Sequence, residues 1–237
     1  MPRWFESVET LPHDPPFTPE LLERLGLRGI HAGCARSLEP GWFNTDRNPI
    51  RERGGREAEL GRLSLIDGEL YFFRHDSTEP YPVADASFDW AYSEHFIEHL
   101  TLDEGIAWLT EIARLLRPGG LVRVTTPDLR RYINAYVDPE EPFYEENRKV
   151  LAALRRFKGQ GIPDRRGWMV NNIFYNWQHR WIYDFGEVKH ALMTAGFDPE
   201  SVTERSVSEG AVAEVAKLDA PGRAFESIYV EARRPAG

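Results

Sequence analysis

Gly33 and Asp46 set the first chemical pattern in this chain. Gly33 closes a short β-like run, Leu27 to Gly33, and a polar loop follows. A second run, Trp42-Phe43-Asn44-Thr45, ends in Asp46. Glycine at such a strand end lets the backbone approach a ligand closely. An acid at the end of the next strand accepts hydrogen bonds from ribose hydroxyls. The pattern suits a nucleoside or nucleotide, although a glycine after a strand is also an ordinary turn residue. What adds weight is repetition downstream. Asp76 follows the run Leu70-Tyr71-Phe72-Phe73, and Ser93 and Glu94 end the run that starts at Ser87-Phe88-Asp89.

His95-Phe96-Ile97-Glu98-His99 spells H-x-x-E-H, a spacing used by some zinc peptidases. That chemistry needs both histidines on one helix face and a third ligand from elsewhere. Here the segment leaves a strand end, so no metal is expected. Glu98 and His99 are expected instead to brace the loop by hydrogen bonds. A nicotinamide site is disfavoured because Gly33 is followed by Cys, Ala and Arg rather than by G-x-G-x-x-G spacing.

The elements that position these residues follow from punctuation and period. Thr18 caps a short helix from Pro19 to Leu25, ended by Gly26. Too few residues separate Gly33 from Asp46 for a full crossover helix, so a loop turning at Pro40-Gly41 is expected. Asn48 to Gly61 is charged and glycine-rich and reads as surface loop. Thr101 with Glu104 reads as a capping box, followed by Ile106, Leu109, Ile112, Ala113 and Leu116 at helical spacing. Pro118-Gly119-Gly120 stops that helix, and Leu121 to Thr126 is the next strand. A helical segment near Glu145 to Phe157 and the stretch Gly159-Gln160-Gly161 come next. An aromatic set then follows: Trp168, Phe174, Tyr175, Trp177, Trp181 and Tyr183. Asp184 and Glu187 cap a further helix closed by Gly196. Val202 to Val207 and Ser227 to Glu231 read as a terminal antiparallel pair.

Strands alternating with helices predict an α/β, Rossmann-like sheet. It has seven strands, mostly parallel, with an antiparallel C-terminal pair. Residues 1–237 read as a single domain, with 128–183 as a helical and aromatic lid inserted on the substrate side. In such sheets ligands bind beyond the carboxyl ends of the strands, where Gly33, Asp46, Asp76 and Ser93 all fall.

Composition excludes several classes. The 237 residues carry a net charge of −9, which disfavours nucleic acid or an anionic membrane as partner. No apolar run approaches the roughly 20 residues of a membrane span. The stretch Met1 to Glu6 shows no signal-peptide core. The single Cys34 fits a reducing, cytoplasmic setting. Glu140-Glu141 and Glu145-Glu146 read as a solvated face. The oligomeric state is not legible.

Gly33-Cys34-Ala35 with Gly41 to Asp46 resembles the first motif of class I S-adenosylmethionine-dependent methyltransferases. Their branch linked to sugar, polysaccharide and natural-product pathways matches best. Ser87-Phe88-Asp89 through Glu98-His99-Leu100 resembles that family's fourth strand, and Glu111 to Gly120 the approach to its fifth. His179-Arg180-Trp181-Ile182-Tyr183-Asp184 and Ala195-Gly196-Phe197 are similar to that branch too. The resemblance spans about Gly29 to Arg234 and departs from the family at Ala35, where glycine is usual.

The resemblance implies S-adenosyl-L-methionine as cofactor. Gly33, with the Ala32 and Cys34 backbone, would lie at its methionine moiety, and Asp46 at its ribose. Asp76 and Ser77 would sit at the adenine. Ser93 and Glu94 would lie beneath the methionine portion, and His95 would face the acceptor. Tyr175, Trp177 and Tyr183 are candidates for aromatic faces near the sulfonium, a contact worth about 0.5–2 kcal/mol. Tyr175, Tyr183 and His179, the last as general base, are the catalytic candidates. The expected activity is methyl transfer to a small acceptor in biosynthesis, a reaction that positioning can drive without a triad. Two alternatives use the same fold. One is cyclisation of S-adenosylmethionine to azetidine-2-carboxylate and methylthioadenosine. The other is a non-catalytic nucleoside-binding module.

Overall fold

The computed structural model describes residues 5–154 and 161–237. Phe157, Gly159 and Gln160 of the expected insertion, and Met1 to Trp4, lie outside them. The first elements are β1 (Val8–Thr10), α1 (Pro19–Arg24), β2 (Gly29–Ala32) and β3 (Trp42–Asp46). Next come β4 (Leu63–Ile66), β5 (Leu70–Arg74), β6 (Phe88–Glu94), α2 (Leu102–Leu115) and β7 (Leu116–Pro127). Then follow α3 (Leu129–Val137), α4 (Phe143–Ala153), α5 (Arg166–Tyr175) and α6 (Phe185–Thr194). The chain closes with β8 (Thr203–Arg205), α7 (Ala213–Ala216) and β9 (Ser227–Arg233).

All strands join one sheet in the order β1-β4-β5-β3-β2-β6-β7-β9-β8. Its centre is parallel: β2 pairs with β3 and β6, β3 with β5, and β6 with β7. β9 runs antiparallel between β7 and β8. The seven expected strands are therefore present, with the antiparallel finish. Among the described residues the sheet nevertheless has nine strands, because β1 and β4 extend it antiparallel beyond β5. β1 is too short to show an alternation. β4 was legible in principle, since Asp67-Gly68 between two apolar runs is a hairpin signal. Both residues take positive φ, 51° and 75°.

β2 and β3 are joined by irregular chain without a helix, as the short spacing required. The stretch from Asn48 to Gly61 is less superficial than its charge suggested. Ile50 and Ala58 turn inward and pack with Phe5, Val8, Cys34 and Phe72 on one side of the sheet. The larger core holds Ile30, Phe43, Phe73 and Val124 of the sheet against Leu109 and Ile112 of α2 and Val188 and Leu192 of α6. α2 begins with both arms of the expected capping box, Thr101 Oγ1 accepting from Glu104 N and Glu104 returning to Thr101 N. That fixes the chain just after the H-x-x-E-H stretch.

Residues 128–183 build α3, α4 and α5 around their own cluster of Tyr132, Phe143, Tyr144, Met169 and Ile173. Asp128 and Tyr183 pair in an isolated bridge, so the segment leaves and rejoins the body at one place. On the far edge Arg123 of β7 is fully buried between Asp219 at 2.5 Å and Glu231 of β9 at 2.9 Å. A buried cation is tolerated only with such pairing. Among the described residues no helix is long and apolar enough to cross a membrane.

Candidate active site

A cavity of about 390 Å³ opens at the carboxyl ends of the parallel strands. Gly33 after β2, Asp46 ending β3, Asp76 and Ser77 after β5, and His95 after β6 all line it. The sheet thus brings together five of the nine residues expected at a cofactor. Gly33 is left-handed (φ +67°), and a Cβ built on it would lie 2.6 Å from the Phe96 ring. Only glycine fits there without displacement. Ala35, also left-handed at φ 47°, lines the same cavity. Its N–H donates to Asp46 Oδ2 at 2.9 Å, while Asn48 donates to Oδ1 from its backbone at 2.7 Å and its amide at 2.9 Å. A carboxylate offers about four acceptor sites, so Asp46 braces its loop and keeps capacity for a ligand. At Asp76 the Thr78 backbone N–H, with the Thr78 hydroxyl behind it, holds the carboxyl below the usual carboxylate range. Ser77 Oγ lies 2.6 Å from Tyr81 OH.

The other four expected cofactor contacts lie outside the cavity lining. Ala32 is buried at the end of β2, and Cys34 turns its thiol into the apolar cluster, where burial raises its pKa well above the ordinary value. Ser93 is buried in β6. Glu94 points toward the other edge and accepts from Ala220 N at 2.9 Å, with burial raising its pKa.

A second cavity of about 360 Å³ adjoins the first and shares His95, His99 and Trp177 with it. Glu98, Tyr132, His179, Arg223 and Glu226 form much of its remaining wall. His95 sits in a left-handed turn (φ 49°). Ser227 Oγ donates its proton to Arg223 O at 2.9 Å, so His95 Nε2, 2.7 Å from that oxygen, is the donor to it. The lone pair of Nδ1 therefore faces Glu98 Oε1 at 3.4 Å. Glu98 is fully buried; desolvation pushes its pKa up to about 8, while Thr126 Oγ1 donates to Oε2 at 3.0 Å. Burial, helped by the positive charge of Arg223, holds the His95 pKa well below the ordinary value. His179 donates Nδ1–H to Ile173 O at 2.6 Å, and its pKa falls to about 4, mainly through burial. Its ring lies 4.9 Å from that of His99. Tyr132 OH donates to Glu226 at 2.6 Å.

The aromatic candidates separate. Tyr175 ends α5 with 79% of its surface exposed and lines neither cavity. Tyr183 is buried in the main core, and a Cβ built on Gly105 of α2 would lie 2.7 Å from its hydroxyl. Neither lines the two cavities. Tyr175 falls on the outer face of a helix, and Tyr183 is consumed by packing where the insertion rejoins the body. Of the three aromatic candidates Trp177 alone reaches the cavities. His179 does reach the site, at the second cavity. Arg223 and Glu226 were missed because they precede β9, remote in sequence from every motif, with no local pattern to mark them.

Residues 55–124 match a family model described as a methyltransferase domain. That stretch covers β4 to β7. A probable S-adenosylmethionine-dependent methyltransferase of Mycolicibacterium smegmatis is 32% identical over 96 residues, 40% of this chain and 37% of that protein. The chain thus matches little more than a third of the length of that relative. A methyltransferase structure from Thermotoga maritima covers 87% of this chain and 82% of its own, at 17% identity and a TM-score of 0.47. One from Archaeoglobus fulgidus covers 91% and 92%, at 15% and 0.46. The family match and the relative each cover part of the chain, and both are similar to the S-adenosylmethionine-dependent methyltransferases that its motifs resemble.

Proposed function

We propose that this protein transfers the methyl group of S-adenosylmethionine to a small acceptor. The observation that carries the reading is the pair of adjoining cavities with a common wall of His95, His99 and Trp177. The first has the donor set a nucleoside needs: a carboxylate with spare acceptor capacity at Asp46, polar groups at Asp76 and Ser77, and a close backbone approach at Gly33. When bound, the cofactor would supply an electrophilic methyl group on a sulfonium to the acceptor's lone pair. The chain's own contribution is positioning and exclusion of water. Asp46 and Asp76 hold the nucleoside end, and Trp177 offers an aromatic face at the junction.

Residues 128–183 serve in this reading as the lid of the acceptor side, since Tyr132, Trp177 and His179 come from it. The acceptor class suggested by the motifs, a natural-product or sugar intermediate, belongs to the same proposal. A cavity of about 360 Å³ suits molecules of that size. Intramolecular cyclisation would be served by a dense aromatic lid over the cofactor, and Tyr175 and Tyr183 lie away from the two cavities. Product analysis separates the readings. Incubation with S-adenosylmethionine and a panel of small hydroxy and amino acceptors is expected to release S-adenosylhomocysteine only when an acceptor is present. Methylthioadenosine formed without acceptor, above the uncatalysed background, would replace this reading with cyclisation. Failure to bind the cofactor at all would leave a non-catalytic module.

A further inference from the structure

The H-x-x-E-H stretch finds a partner in the fold that its sequence does not contain. One ligand-type atom each from Glu98, His99 and His179 lie within 4.8 Å of one another. Glu98 and His99 come from the tight turn after β6, whereas His179 comes from the end of residues 128–183. These residues line the second cavity, and His99 borders the first as well. His95, which the motif alone would nominate, is held in a separate left-handed turn and bonds to Ser227.

Three features give this cluster the form of a metal site. First, His179 commits its Nδ1–H to the backbone carbonyl of Ile173. Such a bond fixes the tautomer and leaves the second nitrogen as a free lone pair, the usual outer support of a metal-bound histidine. Second, Glu98 Oε1 is fully buried and receives no hydrogen bond among the described residues, its neighbour His95 Nδ1 at 3.4 Å presenting a lone pair, while Oε2 is anchored by Thr126. A buried carboxyl oxygen without a donor is costly unless something binds it. Third, the ligand atoms come from two separate stretches of backbone, the turn after β6 and the end of residues 128–183, and His99 is solvent-exposed. Metal–ligand bonds of about 2.0–2.2 Å bring ligand atoms within roughly 3–4 Å of one another. Side-chain adjustment of about 1 Å closes the present spacing.

We propose that Glu98, His99 and His179 bind one divalent first-row transition-metal ion, with open coordination positions facing the second cavity. Two imidazoles and one carboxylate with free positions suit Zn²⁺ or Fe²⁺ rather than Mg²⁺ or Ca²⁺. Arg223 lines the same cavity, so metal and guanidinium together favour an acceptor that presents an anionic oxygen. That last step rests on the methyl-transfer reading; the metal site does not.

Co²⁺ is the probe, added to the full chain without cofactor or acceptor after treatment with a chelator. Visible d–d bands and calorimetry are expected to report one equivalent bound. His99→Ala, His179→Ala and Glu98→Gln are each expected to weaken binding about tenfold or more. His190→Ala, an exposed histidine on α6, is expected to leave it unchanged. His99 is exposed and Glu98→Gln keeps its shape, so far-UV circular dichroism of these two variants certifies folding. No saturable binding by the wild-type protein would overturn the proposal. Equal binding in all four variants, or loss in His190→Ala alone, would assign the metal to surface histidines and overturn it too. Cofactor affinity measured separately keeps failure of the metal site distinct from failure of the methyl-transfer reading.

Discussion

Asp46 does two things with one carboxylate. It ties the Gly33–Ala35 loop and the Asn48 turn to the end of β3, and it retains acceptor capacity at the cavity. Asp46→Asn is expected to weaken S-adenosylhomocysteine binding by about 1–3 kcal/mol through lost charged hydrogen bonds. The loss should shrink for a 2′-deoxy analogue, because the ribose hydroxyl is the partner removed. Equal losses for both ligands would mean the carboxylate acts only on the loop. The aromatic residues make a parallel contrast. Trp177→Ala should reduce turnover about tenfold, the equivalent of about 1.4 kcal/mol, whereas Tyr175→Ala should leave it unchanged because its ring is in solvent. Steady-state kinetics with any accepted substrate decides it, and the reverse order would return Tyr175 to the site.

Between residues and the whole lie the turns, where the sequence was most legible and also where it failed. Gly33, Asp46, Asp76, Ser77 and His95 were readable because each follows a recognisable strand, and the carboxyl ends of parallel strands converge. Tyr183, Arg223 and Glu226 were not. Whether a residue of the insertion packs or faces a cavity is decided by tertiary contacts that no period encodes. Ala35 shows that the loop after β2 tolerates a side chain at positive φ. The constraint at Gly33 is therefore the Phe96 ring, 2.6 Å from where a Cβ would stand, added to the left-handed backbone. Gly33→Ala is expected to cost about 1–3 kcal/mol of stability and to displace Phe96 from the cavity wall. Phe96→Ala added to it should recover part of that loss, a coupling that a double-mutant cycle in urea measures. Strict additivity would show that backbone conformation alone sets the cost.

At the scale of the molecule, stability depends on a sheet whose centre carries a histidine. His31 lies in β2, between β3 and β6, 4% exposed, its ring edge against Tyr92 at 5.2 Å. Burial drives its pKa down to about 4, with Asn44 opposing weakly. An unfolded histidine titrates near 6.5, so below that pH the unfolded chain binds a proton that the folded one refuses. The stabilising contribution is complete above about pH 6.5 and is lost as pH falls toward 4. The whole interval corresponds to about 3 kcal/mol, and the portion between pH 6.5 and pH 5 to about 2 kcal/mol. His31→Phe keeps a ring of similar size against Tyr92 and removes the titration. Urea denaturation of both proteins at pH 7.5 and pH 5 measures the difference, which cancels other titrating groups common to both. The wild-type protein should lose about 2 kcal/mol more than the variant. Equal losses would mean that water or a relaxed β2 already accommodates the charged ring, and that the centre of the sheet is less dry than its packing indicates.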